Sequence, residues 1–448
     1  MTSADIYYKK MTETPVSKLI ISLGIPTTIS MLVTSLYNMA DTYFVGELGE
    51  SQQAATGILF TLQAIIQAVA FMLGQGSGTM VSKALADKNK KEASEYVSTA
   101  FFTALAAGTV LMILGLIFIN PFMRILGSTE TILPYARQYG FWVLVAAPFM
   151  TCSFVLNNNL RYEGRSFFAM IGLVTGGILN IFGDYFLIRI LDMGVVGAGL
   201  STAASQLVGF VLLLIFHRRT AQGVISVRYI SRKIAVIGKI ALVGFPALIR
   251  QGLASISNGL LNNLTKPFGD AAIAAMSVVS RYSMLVMCVG LGIGQGFQPV
   301  ASFNYQAKKY DRVKKGLIFT MTVGVVLVGI MSLPGLLFPR QIVAIFQKET
   351  AVQDVGELAL RCASIGVLFH PLSIPVNMLY QSIRKAGVSS FLSMIRSGLM
   401  LIPTLIITTA LWGLTGIQIS QPLADMFTGL ISIPFIIHFL RKPDEKMT

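Results

Sequence analysis

Charge is scarce in this chain, and reactive side chains are scarcer. Only 12% of its 448 residues are Asp, Glu, Lys or Arg, about half the roughly 25% of a soluble domain. With 54% hydrophobic residues and a mean hydropathy of +0.69, a water-soluble fold could not hide its apolar surface. Cysteine occurs three times, as Cys152, Cys288 and Cys362, each alone in an apolar run. That spacing excludes a disulfide framework and a thiolate metal cluster. The three histidines, His217, His370 and His438, join no Cys or carboxylate cluster, and no Ser–His–Asp arrangement can be assembled, so the chain is not read as an enzyme. His370-Pro371 reads instead as a structural break. The glycine-rich stretches "GQGSG" from Gly74 and "GLGIGQG" from Gly290 follow no strand and lack a Gly-Lys-Ser/Thr ending. They are read as sites of close helix packing, not phosphate cradles. The N-terminus lacks a short apolar core with a small-residue cleavage site, so no removable signal peptide is expected.

What the sequence has is long apolar runs. Twelve recur between short polar breaks, at 18–45, 54–82, 96–119, 134–156, 167–190, 195–216, 237–263, 271–301, 316–338, 356–380, 388–411 and 414–439. Each is long enough to cross roughly 30 Å of hydrocarbon at about 1.5 Å per residue. Ten-residue segments of alternating polarity are absent, so a membrane β-barrel is excluded. The expected fold class is an all-α polytopic membrane protein with twelve transmembrane helices.

The net charge of +15 would suggest nucleic acid in a soluble chain, but its placement argues otherwise. Basic residues crowd the segments on one side, from Lys9 and Lys10 through Lys88, Lys90, Lys91, Arg218, Arg219, Lys308 and Lys309 to Arg441, Lys442 and Lys446. This asymmetry follows the positive-inside rule and implies a cell-membrane protein with both termini cytoplasmic. The excess is topological, with a weak attraction to anionic lipid, and no nucleic-acid partner is implied.

The two halves repeat. "GIP" at Gly24–Pro26 returns as "GFP" at Gly244–Pro246, and "GQGSG" from Gly74 returns as "GQGFQ" from Gly294, both after 220 residues. "RYEGRS" (Arg161–Ser166) matches "IRKAGVS" (Ile383–Ser389), and "VVGAGLSTAASQ" (Val195–Gln206) matches "LTGIQISQPLAD" (Leu414–Asp425). Six spans per repeat make both halves enter the membrane in the same direction, related by an axis along its normal. The division expected is an N-terminal six-helix lobe, 1–222, and a C-terminal six-helix lobe, 223–448, joined by "HRRTAQGVISVRYISRK". Two such lobes suit an alternating-access transporter.

Two acids interrupt this apolar frame. Asp41, in "SLYNMADTYFVGELG", and Asp184, in "GILNIFGDYFLI", lie inside spans one and five. An acid at a span centre costs about 2.5–3.5 kcal/mol, so it calls for a partner or a function. By residue count Asp41, Asp184 and Thr202 share one layer of the first lobe. Asn180 is one helical turn before Asp184, as Tyr37 is before Asp41. Oxygen groups gathered in a dry site can share a proton or hold a small cation such as Na⁺. The competing structural reading is that both acids only bond neighbouring helices.

"LYNMADTYFVGELG", the proline of "GIPTTIS", "GQGSGTMVSKAL" and "NIFGDYFLI" together resemble the multidrug and toxic compound extrusion (MATE) family, over essentially the whole chain. The resemblance implies a MATE-type, MOP superfamily-like fold with two pseudo-twofold six-helix lobes. It implies a monomeric antiporter that exports amphipathic, mostly cationic drugs or dyes against H⁺ or Na⁺. No cofactor is implied beyond that coupling ion. It assigns Asp41, Asn180, Asp184 and Thr202 to cation coupling, as Na⁺ ligands if sodium is the ion. Tyr37, Tyr139, Asn157 and Gln206 become cavity-lining, substrate-binding positions.

The second lobe departs from one branch of the family, which carries acids in that lobe's first and fourth spans. This chain offers there Arg250, Gln251, Asn258, Asn262, Asn263 and His370. Its interior is instead basic, with Arg250, Arg281 and Arg396 against one deep acid, Asp425. Either an Arg–Asp pair fixes the packing, or a guanidinium serves an anionic substrate group or lipid phosphate. The latter leaves an alternative function, a lipid-linked precursor flippase or anionic-metabolite exporter on the same architecture.

Overall fold

The computed structural model describes residues 3–441; Lys442 and Lys446 lie outside the described residues. It contains helices and no strand among those residues. Twelve of the helical segments are long and apolar enough to cross a membrane: Val16–Gly46, Glu50–Ala86, Lys90–Ile117, Leu133–Tyr162, Ser166–Ile190, Gly194–Thr220, Ile234–Phe268, Asp270–Gln306, Tyr310–Leu337, Thr350–Ser382, Ala386–Trp412 and Leu414–Arg441. We call them spans one to twelve. Most run beyond the apolar stretches that announce them, because a helix continues into its polar flanks until a cap or a left-handed residue ends it. Asn89 illustrates this at the start of span three, where its side chain accepts a bond from the Glu92 N–H at 3.1 Å. The break expected at His370-Pro371 is present. Span ten stops being α-helical at Gly366, passes through a tight turn at Val367–Phe369, and resumes at His370. Pro26, by contrast, sits inside one continuous helix.

The residues form two compact units. Unit 1 comprises 1–8 and 29–248, and unit 2 comprises 9–28 and 249–448. Each unit therefore contains the first part of a helix whose remainder belongs to the other: 234–248 in unit 1, 9–28 in unit 2. The repeated glycines explain why. In unit 1 a Cβ on Gly76 would sit 2.0 Å from the Ile240 carbonyl oxygen, and one on Gly244 would sit 1.8 Å from that of Met72. In unit 2 a Cβ on Gly296 would meet the Gly24 Cα at 2.5 Å. Only a residue without a side chain permits such backbone approach, which is the packing role read from the glycine motifs.

Corresponding apolar clusters fill each unit. In unit 1, Leu59, Leu62 and Ile66 of span two pack with Val143 and Leu144 of span four and with Met123 from the short helix Ile119–Ile125. In unit 2, Met276 and Val279 of span eight pack with Ala359 and Leu360 of span ten and with Val343 from Pro339–Phe346. Met123 and Val343, one repeat apart, are both fully buried.

The segment after span six is held down along its length. Val224 N–H donates to Ser94 Oγ at 3.0 Å, Ser226 N–H to Ser98 Oγ at 3.1 Å, and Ser231 N–H to Thr99 Oγ1 at 2.9 Å. At its start the buried Glu163 carboxylate accepts from the Gln222 and Gly223 N–H groups. Those two bonds offset only part of the cost of burial, which pushes the Glu163 carboxyl up to about 7; Arg165 acts with them in the lowering direction.

Candidate functional site

Spans one and five bring Asp41 and Asp184 to one place in unit 1. Both side chains are buried, with Asp184 fully inaccessible. Small residues of span five make the approach possible: a Cβ on Gly177 would lie 3.0 Å from the Tyr37 ring, and one on Gly183 would lie 2.5 Å from Ser201 Oγ. Just beyond the two acids, Arg189 of span five donates from Nε to Glu47 at 2.9 Å, tying the ends of the same two spans together. This ion pair is exposed, so it aligns the spans and adds little to stability.

The surrounding polar groups are arranged unevenly. Tyr139 O–H donates to Asp41 Oδ2 at 2.7 Å and lies 3.4 Å from Thr202 Oγ1. Asn180 Nδ2 donates to Ser201 Oγ and Thr202 Oγ1, both at 3.3 Å, while Ser201 Oγ donates back to the Asn180 carbonyl at 3.0 Å. These bonds use the donors of the site and leave acceptors over. Asp41 Oδ1, both carboxylate oxygens of Asp184 and Asn180 Oδ1 are buried with no hydrogen-bond partner. These four buried acceptor oxygens belong to two acids and an amide, and buried carboxylates call for a proton or a cation to offset the cost of burial. Among the described residues no group of three or more His, Cys, Asp or Glu side chains assembles a metal cluster. The oxygen set here mixes two acids with an amide, a phenol and a hydroxyl, a composition suited to a proton or a monovalent hard cation.

The structure thus gathers Asp41, Asn180, Asp184, Thr202 and Tyr139. Tyr37 and Gln206 lie beside each other at the edge of the same group. Asn157 lies elsewhere; its Nδ2 donates to the Ala169 carbonyl at 3.1 Å and ties span four to span five. Two participants were not read from the sequence in these roles. Ser201 was missed, although it directly precedes Thr202. Tyr139 was assigned to the cavity only by resemblance, because a tyrosine within a span carries no sign of which acid it will meet.

Unit 2 offers a second polar group. Asp425 does not form the Arg–Asp pair foreseen from its depth: its ion-pair partner is His370, Nε2 to Oδ1 at 3.1 Å. Arg396 lies next to them, in the π-helical turn Ile395–Leu399. Arg281 is exposed and takes no part.

Comparison with known proteins agrees with this architecture. A family profile described as MatE matches residues 26–186 and 246–407, one block in each repeat. The chain is 25% identical over 446 residues to the multidrug export protein MepA of Staphylococcus aureus strain NCTC 8325, covering 98% of this chain and 97% of that protein. It is 24% identical over 443 residues to MepA of Staphylococcus saprophyticus, with 98% and 97% covered. A crystal structure of a MATE protein in complex with MaL6 superposes with a TM-score of 0.91 at 24% identity, covering 99% of this chain and all of the other; that likeness establishes the fold. The profile spans both repeats, and twelve apolar helices and a non-catalytic polar site accord with it. The chain is a multi-pass membrane protein belonging to the multidrug and toxic compound extrusion family of transporters.

Proposed function

We propose that the protein is an alternating-access antiporter that exports amphipathic, mostly cationic drugs or dyes in exchange for H⁺ or Na⁺. The observation that carries this reading is the set of four unpartnered buried oxygens on Asp41, Asp184 and Asn180. A bound monovalent cation satisfies them, with Tyr139 holding one oxygen of Asp41 in place and Thr202 supplying a further oxygen. A cationic compound held in unit 1 loses its attraction when the coupling ion neutralises the acids. Competition for one negative site gives each ligand the differential affinity that exchange requires. The export function of the MepA relatives supports the direction of transport, and the positive-inside pattern supports a cell-membrane location with both termini cytoplasmic. The protein works as a monomer within lipid, with no cofactor other than the coupling ion.

The test is dye movement in vesicles containing the purified protein, with H⁺ and Na⁺ gradients imposed separately. The wild type is expected to move a fluorescent cationic dye against one of these gradients, which identifies the ion. Asp41→Asn and Asp184→Asn are each expected to abolish the gradient-driven component. Wild-type rates in both variants would overturn the coupling assignment.

A further inference from the structure

The polar group in unit 2 has the opposite electrical character to that in unit 1, and it surrounds a cavity. Arg250 of span seven, Ser373, Asn377 and Met378 of span ten, and Ser393 and Arg396 of span eleven line a space of about 20 Å³. This is room for about one water-sized group.

Arg396 is the cation whose environment is incomplete. Its Nη2 lies 3.0 Å from Met287 Sδ and 3.4 Å from His370 Nε2. The thioether is a weak acceptor. The imidazole nitrogen is not available either, since it faces Asp425 Oδ1 at the shorter distance of 3.1 Å. With Asp425 ionised, that nitrogen carries the hydrogen and donates to the carboxylate; the same atom cannot also accept from Arg396. No carboxylate among the described residues lies within ion-pair distance of the Arg396 guanidinium.

The cavity wall also holds a hydroxyl with a hydrogen to give. Asn377 Nδ2 donates to Ser393 Oγ at 2.9 Å, so the serine oxygen is an acceptor there and its own O–H is left to donate. Leu291, Ile374 and Leu392 close the space with hydrocarbon. Positive charge, a hydroxyl donor and dry walls around a one-atom space are the requirements of a small monovalent anion.

We propose that this cavity is an anion-binding site that takes one chloride ion, or one oxygen of a carboxylate, against Arg396 and Ser393. It does not depend on the coupling role of Asp41 and Asp184, and either assignment can fail without the other.

The test is binding of radiolabelled chloride to the purified full-length protein in detergent, at constant ionic strength made up with sodium sulfate. The wild type is expected to bind chloride saturably, at about one ion per chain. Arg396→Gln should weaken binding at least about tenfold, the loss of one charge-assisted contact. Arg396→Lys should retain more of it than Arg396→Gln, and Ser393→Ala should weaken it less than Arg396→Gln. The Asp41→Asn protein should bind chloride as the wild type does. Competition by sodium acetate separates the two sources: displacement at concentrations below those of chloride identifies a carboxylate as the preferred occupant, and weaker displacement identifies the inorganic ion. Absence of saturable chloride binding and of any acetate effect in the wild type would overturn the proposal. So would equal chloride affinity in the wild type and both Arg396 variants. Should Arg396→Gln not fold, an undiminished affinity in Arg396→Lys and Ser393→Ala together would count against it.

Discussion

Asn157 in unit 1 donates to the Ala169 carbonyl at 3.1 Å, and Asn377 in unit 2 donates to the Ser389 carbonyl at 2.8 Å. Both ends of the bond recur after the 220 residues that separate the glycine motifs, so the two repeats are built on the same frame to the level of single side chains. The charges break the correspondence. The same shift carries Asp41 onto Leu261 and Tyr139 onto Ala359, while Arg396 and His370 answer to Gly176 and Met150. In the match of Val195–Gln206 to Leu414–Asp425, offset by 219, Asp425 aligns with Gln206. Span five turns from α- to π-helix immediately after Asp184, and span eleven does so at Ile395, beside Arg396. A π-helical turn, which is frequent at functional sites, thus stands next to an acid in one unit and a guanidinium in the other, though the two turns do not coincide under the 220-residue shift. The two repeats share a scaffold and a helix contact, and the polar centre of each has its own sign.

If that division is right, an acid placed in unit 2 at the position corresponding to Asp41 meets no waiting partner. Leu261 is buried in an apolar cluster, and Leu261→Asp is expected to destabilise the protein by about 2.5–3.5 kcal/mol, the cost of an unpaired intramembrane acid. Its thermal midpoint in detergent should fall sharply, and an unchanged midpoint would mean that the second frame accommodates the charge as readily as the first. A smaller effect tests the shared part. Asn157→Ala and Asn377→Ala each remove a side-chain bond to a helix carbonyl, at about 0.5–1.5 kcal/mol. Their midpoints should drop by similar amounts, and neither should change the ion dependence of transport; a large disparity would show that the two bonds are alike in geometry only.

A pH-dependent effect concerns Glu163, which ends span four where Ile383 ends the helix of span ten. Its carboxyl is raised from the usual 4.5 to about 7 in the folded protein. Between those values the folded chain keeps a proton that the unfolded chain releases. Stability therefore falls as pH rises through the window and levels off above about 7, by no more than about 1.4 kcal/mol per pH unit. Melting curves from pH 5 to pH 7 should show this decline in the wild type and a flatter one in Glu163→Gln. An unchanged slope in the variant would assign the pH dependence to another group.

Twelve crossings were legible because nothing but a bilayer rewards so many apolar runs of that length. Their ends were less so, since a polar residue such as Glu50 or Lys90 continues a helix as readily as it leaves one. The coupling candidates stood out as charges where charge is costly, and helical spacing set Asn180 one turn from Asp184. Residue count gives depth but not direction, and this is why Arg281 was placed among interior groups although it faces outward. It is also why Asp425 was matched to an arginine. Its real partner, His370, lies 55 positions earlier beside a helix break, and no periodicity links the two.

The composition of the compact units bears on how the polypeptide can be divided. Unit 1 requires residues 234–248 to cover Gly76, and unit 2 requires 9–28 to cover Gly296. A gene cut at codon 222 would yield two polypeptides, each stripped of a segment that its own glycine seam was shaped to receive. Synthesised separately, such fragments would expose bare backbone grooves to lipid; produced in the same cell, they would restore one another.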